Sequence, residues 1–114
     1  RGDIHKDHRV TYEAALVAAR RINNCTVKRI YAYETLSETE WAAPFGDDVF
    51  IPTVFVNIEN EIEDKLKAFQ FFTSQIKQFP HSRSPEIIRV LSNYRGATVG
   101  FPNAEAFMLI RSIE

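Results

Sequence analysis

The stretch that decides the interpretation of this chain is GDIHKDHRVTYEAALVAAR, which runs from Gly2 to Arg20. Two of the three histidines in the sequence, His5 and His8, stand three residues apart in it, with Lys6 and Asp7 between them. A helical pattern begins immediately afterwards. The stretch therefore combines a cluster of potential ligands and acid–base groups with the start of a helix.

The helical pattern consists of small apolar residues. Val10, Ala14, Val17 and Ala18 recur at helical spacing, which predicts an amphipathic helix over residues 10 to about 22. We predict that Asp7 or His8 opens its first turn and that Asn23 and Asn24 end it. Because the stripe is rich in alanine, the helix is predicted to place this face close against a sheet.

The rest of the sequence predicts two strands, two helices and a closing segment that could be a strand or a short helix. These elements cover, in order, residues 26–35, 53–58, 60 to about 78, 84–96 and 104–113. In the closing segment, the strong β-formers Phe107, Leu109 and Ile110 favour a strand. A capping box of Asn60 and Glu63 marks the start of the second helix, and Ser84 followed by Pro85 marks the start of the third. The order helix, strand, strand, helix, helix, strand is an α/β pattern.

Composition excludes several classes of protein. The chain has 114 residues, of which 45% are hydrophobic and 25% charged, and its formal net charge is −1. These values suit one globular domain and argue against a nucleic-acid-binding protein. Cys25 is the one cysteine, so an internal disulfide framework and a multi-cysteine zinc site are excluded. No apolar run approaches the roughly 20 residues of a membrane helix.

The two histidines permit two interpretations. A catalytic zinc takes about three ligands from His, Asp and Glu and keeps one position for water. His8 could be one ligand, His5 could stabilise an oxyanion or protonate a leaving amine, and Asp7 could orient an imidazole. The alternative is an exposed helix start that carries caps and solvated charges. The other acidic candidates are Asp3, Glu34 and Glu105.

The opening stretch resembles the second motif of the LmbE-like, or PIG-L, family of zinc-dependent N-deacetylases, in which His-x-Asp-His precedes an alanine-rich helix. Further similar segments follow in the family's order. They are YAYET (31–35), FIPTVFVNIENEIEDKLKAFQFFTSQ (50–75), RG (95–96) and AEAF (104–107). The family's Ala-His-Pro-Asp-Asp-Glu motif is absent from this sequence. The resemblance therefore implies a single partial domain over residues 1–114, the C-terminal part of a Rossmann-like, mostly parallel three-layer sheet fold.

The resemblance also implies roles for the opening residues. His8 would be the third zinc ligand, His5 would stabilise the tetrahedral oxyanion or act as general acid, and Asp7 would hydrogen-bond a histidine and set its tautomer. The reaction would be hydrolysis of an N-acetyl group on an amino-sugar conjugate, with Zn²⁺ polarising the carbonyl. The general base belongs to the motif that this sequence lacks.

Three further residues are candidates for substrate contact. Glu34 stands at the predicted carboxyl end of a strand, the edge at which open α/β sheets bind ligands, and Glu105 follows the same logic. Arg95 could reach an anionic group on the substrate. A structural hydrogen bond for either glutamate, or a helix-terminal cap for Arg95, is the alternative.

Two functions stay open at this point. The chain is either part of a zinc-dependent N-deacetylase or a truncated, non-catalytic interaction or structural module. Since part of a sheet exposes an unpaired edge and an apolar face, we expect it to associate with the missing N-terminal half of the domain or to form a homo-oligomer. The chain starts with arginine and shows no signal peptide, so we expect a piece of a longer, cytoplasmic protein. We expect no nucleic-acid or membrane partner.

Overall fold

The computed structural model describes residues 2–22 and 24–114, which form three α-helices, three β-strands and two short 3₁₀ turns. The elements are α1 (Lys6–Ala18), β1 (Arg29–Tyr33), β2 (Val54–Asn57), α2 (Ile62–Gln70), α3 (Pro85–Ala97) and β3 (Ala104–Ser112), with the 3₁₀ turns at Thr39–Trp41 and Gly46–Asp48. The predicted order of helices and strands is confirmed.

The expectation of a Rossmann-like, mostly parallel sheet is wrong. The strand order in the part of the chain that the structure describes is β1-β3-β2, so the last strand lies in the middle. β1 pairs with β3 in antiparallel register, from Arg29 opposite Ser112 to Tyr33 opposite Phe107, with an irregularity between Ile30 and Tyr31. The sheet is therefore small and antiparallel.

Hydrogen bonds on the other side of β3 show the same direction of pairing. The N–H of Thr53 donates to the carbonyl of Phe107 at 2.9 Å, and the N–H of Ile58 donates to the carbonyl of Asn103 at 3.1 Å. The partner number falls as the residue number rises, which is the antiparallel relation.

The number of helices between β2 and β3 gives the physical reason. One crossover helix returns the chain to its starting end, so the next strand runs parallel to the previous one. Two helices, α2 and α3, stand between β2 and β3. A second reversal of direction therefore delivers β3 antiparallel to β2.

Helix α1 differs from its prediction in its start and in the face it buries. It begins at Lys6, with His5 as N-cap, and ends at Ala18; Asn23 lies outside the described residues. The stripe that was predicted to face inward is exposed to solvent, since Val10 is 57% and Val17 is 60% exposed. The more buried positions are His8, Tyr12, Leu16 and Ala19, spaced by three and four residues. The predicted period was correct, but the predicted face was wrong.

Helices α2 and α3 differ in how well their ends were predicted. α2 has Glu61 at its N-cap position without a side-chain cap, and it ends at Gln70 rather than near Gln78. The predicted capping box is therefore not formed. α3 begins as predicted, because the hydroxyl oxygen of buried Ser84 accepts the N–H of Ile87 at 3.3 Å.

The chain divides into two compact units, Arg1–Val54 with Phe107–Glu114, and Phe55–Ala106. In the second unit α2 packs on α3, and its buried apolar residues are Ile58, Ile62, Leu66, Ile88, Ala104 and Ala106. The first unit contains α1, β1 and the paired part of β3, and it buries Gly2, Asp3 and Ala32. Among the described residues, no helix is both long and apolar enough to cross a bilayer.

Candidate functional site

The candidate site is built around Asp3, whose side chain is only 4% exposed. Its Oδ1 accepts the backbone N–H of His5 at 2.9 Å. Its Oδ2 lies 2.7 Å from Nδ1 of His8. Because a carboxylate only accepts hydrogen bonds, this contact places the proton of His8 on Nδ1. The other ring nitrogen of His8, Nε2, then carries a lone pair.

His5 has the opposite arrangement. It is the N-cap of α1, with φ −77° and ψ 117°, and its Nδ1 accepts the backbone N–H of Asp7 at 3.2 Å. A neutral imidazole that accepts at Nδ1 carries its proton on Nε2. The rings of His5 and His8 stack, with centroids 4.5 Å apart and planes 20° from parallel. The stacked pair therefore places an Nε2 donor, on His5, beside an Nε2 acceptor, on His8.

The backbone that carries Asp3 is held from both sides. Nε of Arg9 donates to the carbonyl oxygen of Asp3 at 2.7 Å, and its guanidinium contacts the carboxylate of Asp48 at 3.0 Å. Gly2 has φ +62°, and a Cβ at this position would overlap the backbone carbonyl of Asp48. Only glycine fits both the conformation and the close approach.

A cleft of about 200 Å³ adjoins Asp3 and His8 in the same unit. α1 contributes Thr11, Tyr12, Ala15 and Leu16 to its lining, and β1 contributes Ile30, Tyr31, Ala32 and Tyr33, followed by Thr35. The cleft is mainly apolar, and hydroxyl groups stand on both of these elements. A small molecule or another chain segment can therefore approach His8 along this cleft.

Within residues 2–22 and 24–114, no group of three or more His, Cys, Asp or Glu side chains is arranged to hold a metal ion. His8, backed by Asp3, has the form of one metal ligand, because ligating histidines donate their other ring N–H to a carboxylate or carbonyl. The described residues thus provide one oriented ligand and no complete coordination set.

Six site residues were predicted from the sequence. Three of them lie together at the start of α1, namely His5, Asp7 and His8. Glu34 follows β1 directly and is half-buried. Arg95 and Glu105 belong to the second unit. There Glu105 accepts Nζ of Lys65 at 2.6 Å, and the guanidinium of Arg95 lies 5.5 Å from the ring centre of Tyr94.

The sequence indicated Asp3 only as one of the acidic ligand candidates, and the task of orienting a histidine was predicted for Asp7. In the structure it is the carboxylate of Asp3 that contacts His8, while Asp7 orients His5 through its backbone N–H. The available signal was the acidic residue two positions before His5, close enough to bond back into the same turn.

Comparisons with known proteins do not assign this chain to a family. No family model matches it, and searches of curated proteins and of solved structures find no match either. The likeness to the N-deacetylase motif therefore enters only as a hypothesis.

Proposed function

We propose that this chain forms part of a metal-dependent amide hydrolase of the LmbE-like, or PIG-L, kind, which removes an N-acetyl group from an amino-sugar conjugate. The observation that carries the proposal is the complementary pair of histidines. His5 presents a donor at Nε2 and His8 presents a lone pair at Nε2, and the two rings are stacked. Amide hydrolysis needs both functions side by side.

Each residue of the pair has a distinct task in this proposal. The Nε2–H of His5 donates to the oxygen of the acyl group as negative charge develops there, or protonates the leaving amine. Asp3 holds His8 with Nε2 turned outward. Asp7 fixes the tautomer of His5 by donating its backbone N–H to Nδ1. The location of both histidines at the start of α1 also favours developing negative charge.

The residues present fit a zinc site only in part. His8 has the orientation of one ligand, and imidazole is a common zinc ligand. When bound, Zn²⁺ supplies Lewis-acid polarisation of the acyl carbonyl. The other ligands and the general base would come from the N-terminal half of the deacetylase domain, which we propose as a partner. A cytoplasmic location of the enzyme is part of the same proposal.

The substrate class rests on the sequence resemblance, and the three candidate contact residues stay proposals. Glu34 lies between Tyr33 and Thr35, both of which line the cleft beside His8. Arg95 and Glu105 lie in the second unit, where they contact Tyr94 and Lys65. Glu34 has the better support from the geometry because both of its neighbours line the cleft.

A non-catalytic interaction module is the second candidate function. It is favoured by the lack of a complete ligand set among the described residues and by large apolar side chains on the surface, such as Phe71, which is 86% exposed. Exposed apolar groups of this size are typical of surfaces that other proteins cover.

Acetate release from a panel of N-acetylglucosamine conjugates, with added zinc, tests the proposal. The assay compares this chain with the longest product of its own reading frame, each as wild type, His8→Ala and His81→Ala. His81 is the matched control, because it is the remaining histidine, its Nδ1 accepts the nearby backbone N–H of Arg83, and it does not line the cleft.

Release by the longer product, lost in His8→Ala and retained in His81→Ala, is the expected result. Release that survives His8→Ala would remove His8 from the mechanism. No release from any substrate by either product would favour the interaction module.

A further inference from the structure

The cleft beside His8 is lined in part by β1, which is an edge strand of the sheet. Four consecutive residues of this strand, Ile30 to Tyr33, contribute to the lining.

β1 has a neighbouring strand on one side. In the order β1-β3-β2, β3 occupies that side, and no strand of the described residues pairs with the other edge of β1. An unpaired strand edge is a template for a further strand. β1 has no proline, and its side chains Tyr31 and Tyr33 are exposed. β2, the other edge strand, has Pro52 two residues before it.

The charges at the ends of β1 favour a second copy of this chain as the strand that pairs with its free edge. The strand is preceded by Lys28, begins with Arg29 and is followed by Glu34. Two copies paired antiparallel about Tyr31 place Lys28 opposite Glu34 of the second copy, at both ends of the pair. A parallel arrangement would instead bring like charges together. Opposite charges across strands stabilise a pair, and like charges destabilise it.

We propose that β1 is a dimerisation strand, which pairs antiparallel with β1 of a second copy of this chain, centred on Tyr31. The two sheets then form one continuous sheet with a two-fold axis, so the same surface is used by both copies. This proposal does not depend on the proposed hydrolase activity.

Site-directed cross-linking tests the register. In a Cys25→Ser background, Tyr31→Cys and Tyr33→Cys are each oxidised with diamide and separated on non-reducing gels. Residues opposite each other on paired strands have Cβ atoms about 4.5–5.5 Å apart, near the range that a disulfide spans. In this register, residue 31 of one copy lies opposite residue 31 of the other copy. Residue 33 faces residue 29 and lies roughly 14 Å from residue 33 of the second copy.

The expected result is a disulfide-linked dimer of Tyr31→Cys and little or none of Tyr33→Cys, which is the matched control from the same face. Cross-linking of residue 33 as strongly as residue 31, or of neither, would overturn the register.

Sedimentation equilibrium of the unsubstituted chain supplies a second measurement that does not depend on a variant. A concentration-dependent monomer–dimer equilibrium supports the proposal. A monomer at all concentrations would show that the β1 edge is not a self-association surface and that any strand it accepts comes from a different partner. Open-ended assembly would show a non-symmetric contact and would equally overturn the proposal.

Discussion

At the scale of single residues, the chemistry of His5 and His8 is decided by what each Nδ1 contacts. The Nδ1 of His8 meets the carboxylate of Asp3, and the Nδ1 of His5 meets the N–H of Asp7. Two identical side chains, three residues apart and stacked, are thereby given opposite capacities at Nε2. This difference is a property of hydrogen bonding, and it can be tested without substrate.

The tautomers can be observed directly. We predict that ¹⁵N–¹H correlation spectra of the imidazoles show His8 with its proton on Nδ1 and His5 with its proton on Nε2, because their Nδ1 atoms donate and accept respectively. The same tautomer for both histidines would contradict the complementary pair.

Replacement of Asp3 tests its support of His8. Asp3→Asn keeps the shape of the side chain but removes the charge that accepts the Nδ1–H of His8. Since partners of this kind typically contribute 10–100-fold to metal affinity, we predict a loss of roughly that size in the Zn²⁺ affinity of the longest product of the reading frame, measured by competition with a chromophoric chelator.

The matched control for this measurement is Asp47→Asn, which removes an exposed carboxylate of the 3₁₀ turn Gly46–Asp48. Its Zn²⁺ affinity should equal that of the unsubstituted product. An equal loss in both variants would mean that only general electrostatics was measured.

At the scale of elements, α1 shows that a helical period does not reveal which face is buried. Val10 and Val17 repeat with the correct spacing, yet both are open, and the half-buried side is that of Tyr12 and Leu16. The small residues of the open stripe leave it without the bulk that would mark a core face. The larger Leu16 and Tyr12 line the cleft against β1 instead.

Replacing one side chain on each face of α1 with alanine, and comparing the free energies of unfolding, shows which face is buried. We predict that Leu16→Ala lowers the free energy of unfolding by about 1–2 kcal/mol, below the range for fully buried leucines, because Leu16 is only partly buried. Val17→Ala should change it by less than about 0.5 kcal/mol, since Val17 is exposed and alanine favours the helix. Urea unfolding measures both, and a larger effect at Val17 would restore the face predicted from the sequence.

At the scale of the whole chain, few large apolar side chains among the described residues are fully buried, and close backbone contacts support the packing of each unit. In the second unit, a Cβ on Gly96 would lie 2.5 Å from the carbonyl oxygen of Phe101 and 2.9 Å from the backbone N of Asn103. The end of α3 therefore fits against the segment before β3 only because residue 96 has no side chain.

Gly96→Ala should consequently reverse the usual effect of alanine in a helix. Alanine normally stabilises a helix by up to about 1 kcal/mol relative to glycine, but here we predict destabilisation of roughly 1–3 kcal/mol from overpacking. Val90→Ala, at an exposed position of the same helix, is the control and should be close to neutral. A higher melting temperature of Gly96→Ala would contradict the close approach of residue 96 to the backbone of Phe101 and Asn103.

Short-range patterns in the sequence are enough to establish most of the local structure of this chain. The type and order of the helices and strands, the Ser84 cap of α3 and the placement of His5 and His8 at a helix start all follow from short-range patterns and hydrogen bonds. Errors in the local structure occurred where signals were weak, as at the ends of α2, where neither the capping box nor the continuation past Gln70 is realised.

The direction of the strands, the buried face of α1 and the contact of Asp3 with His8 are set by tertiary contacts and could not be predicted from local patterns. The strand direction follows from the docking of β3 between β1 and β2, and two intervening helices reverse the chain twice. The buried face depends on what α1 meets across the cleft. Asp3 acts on His8 because the turn at Gly2 and the Arg9–Asp48 contact hold the backbone in place. These are long-range contacts, and a local pattern of residues contains no information about which distant group will satisfy them.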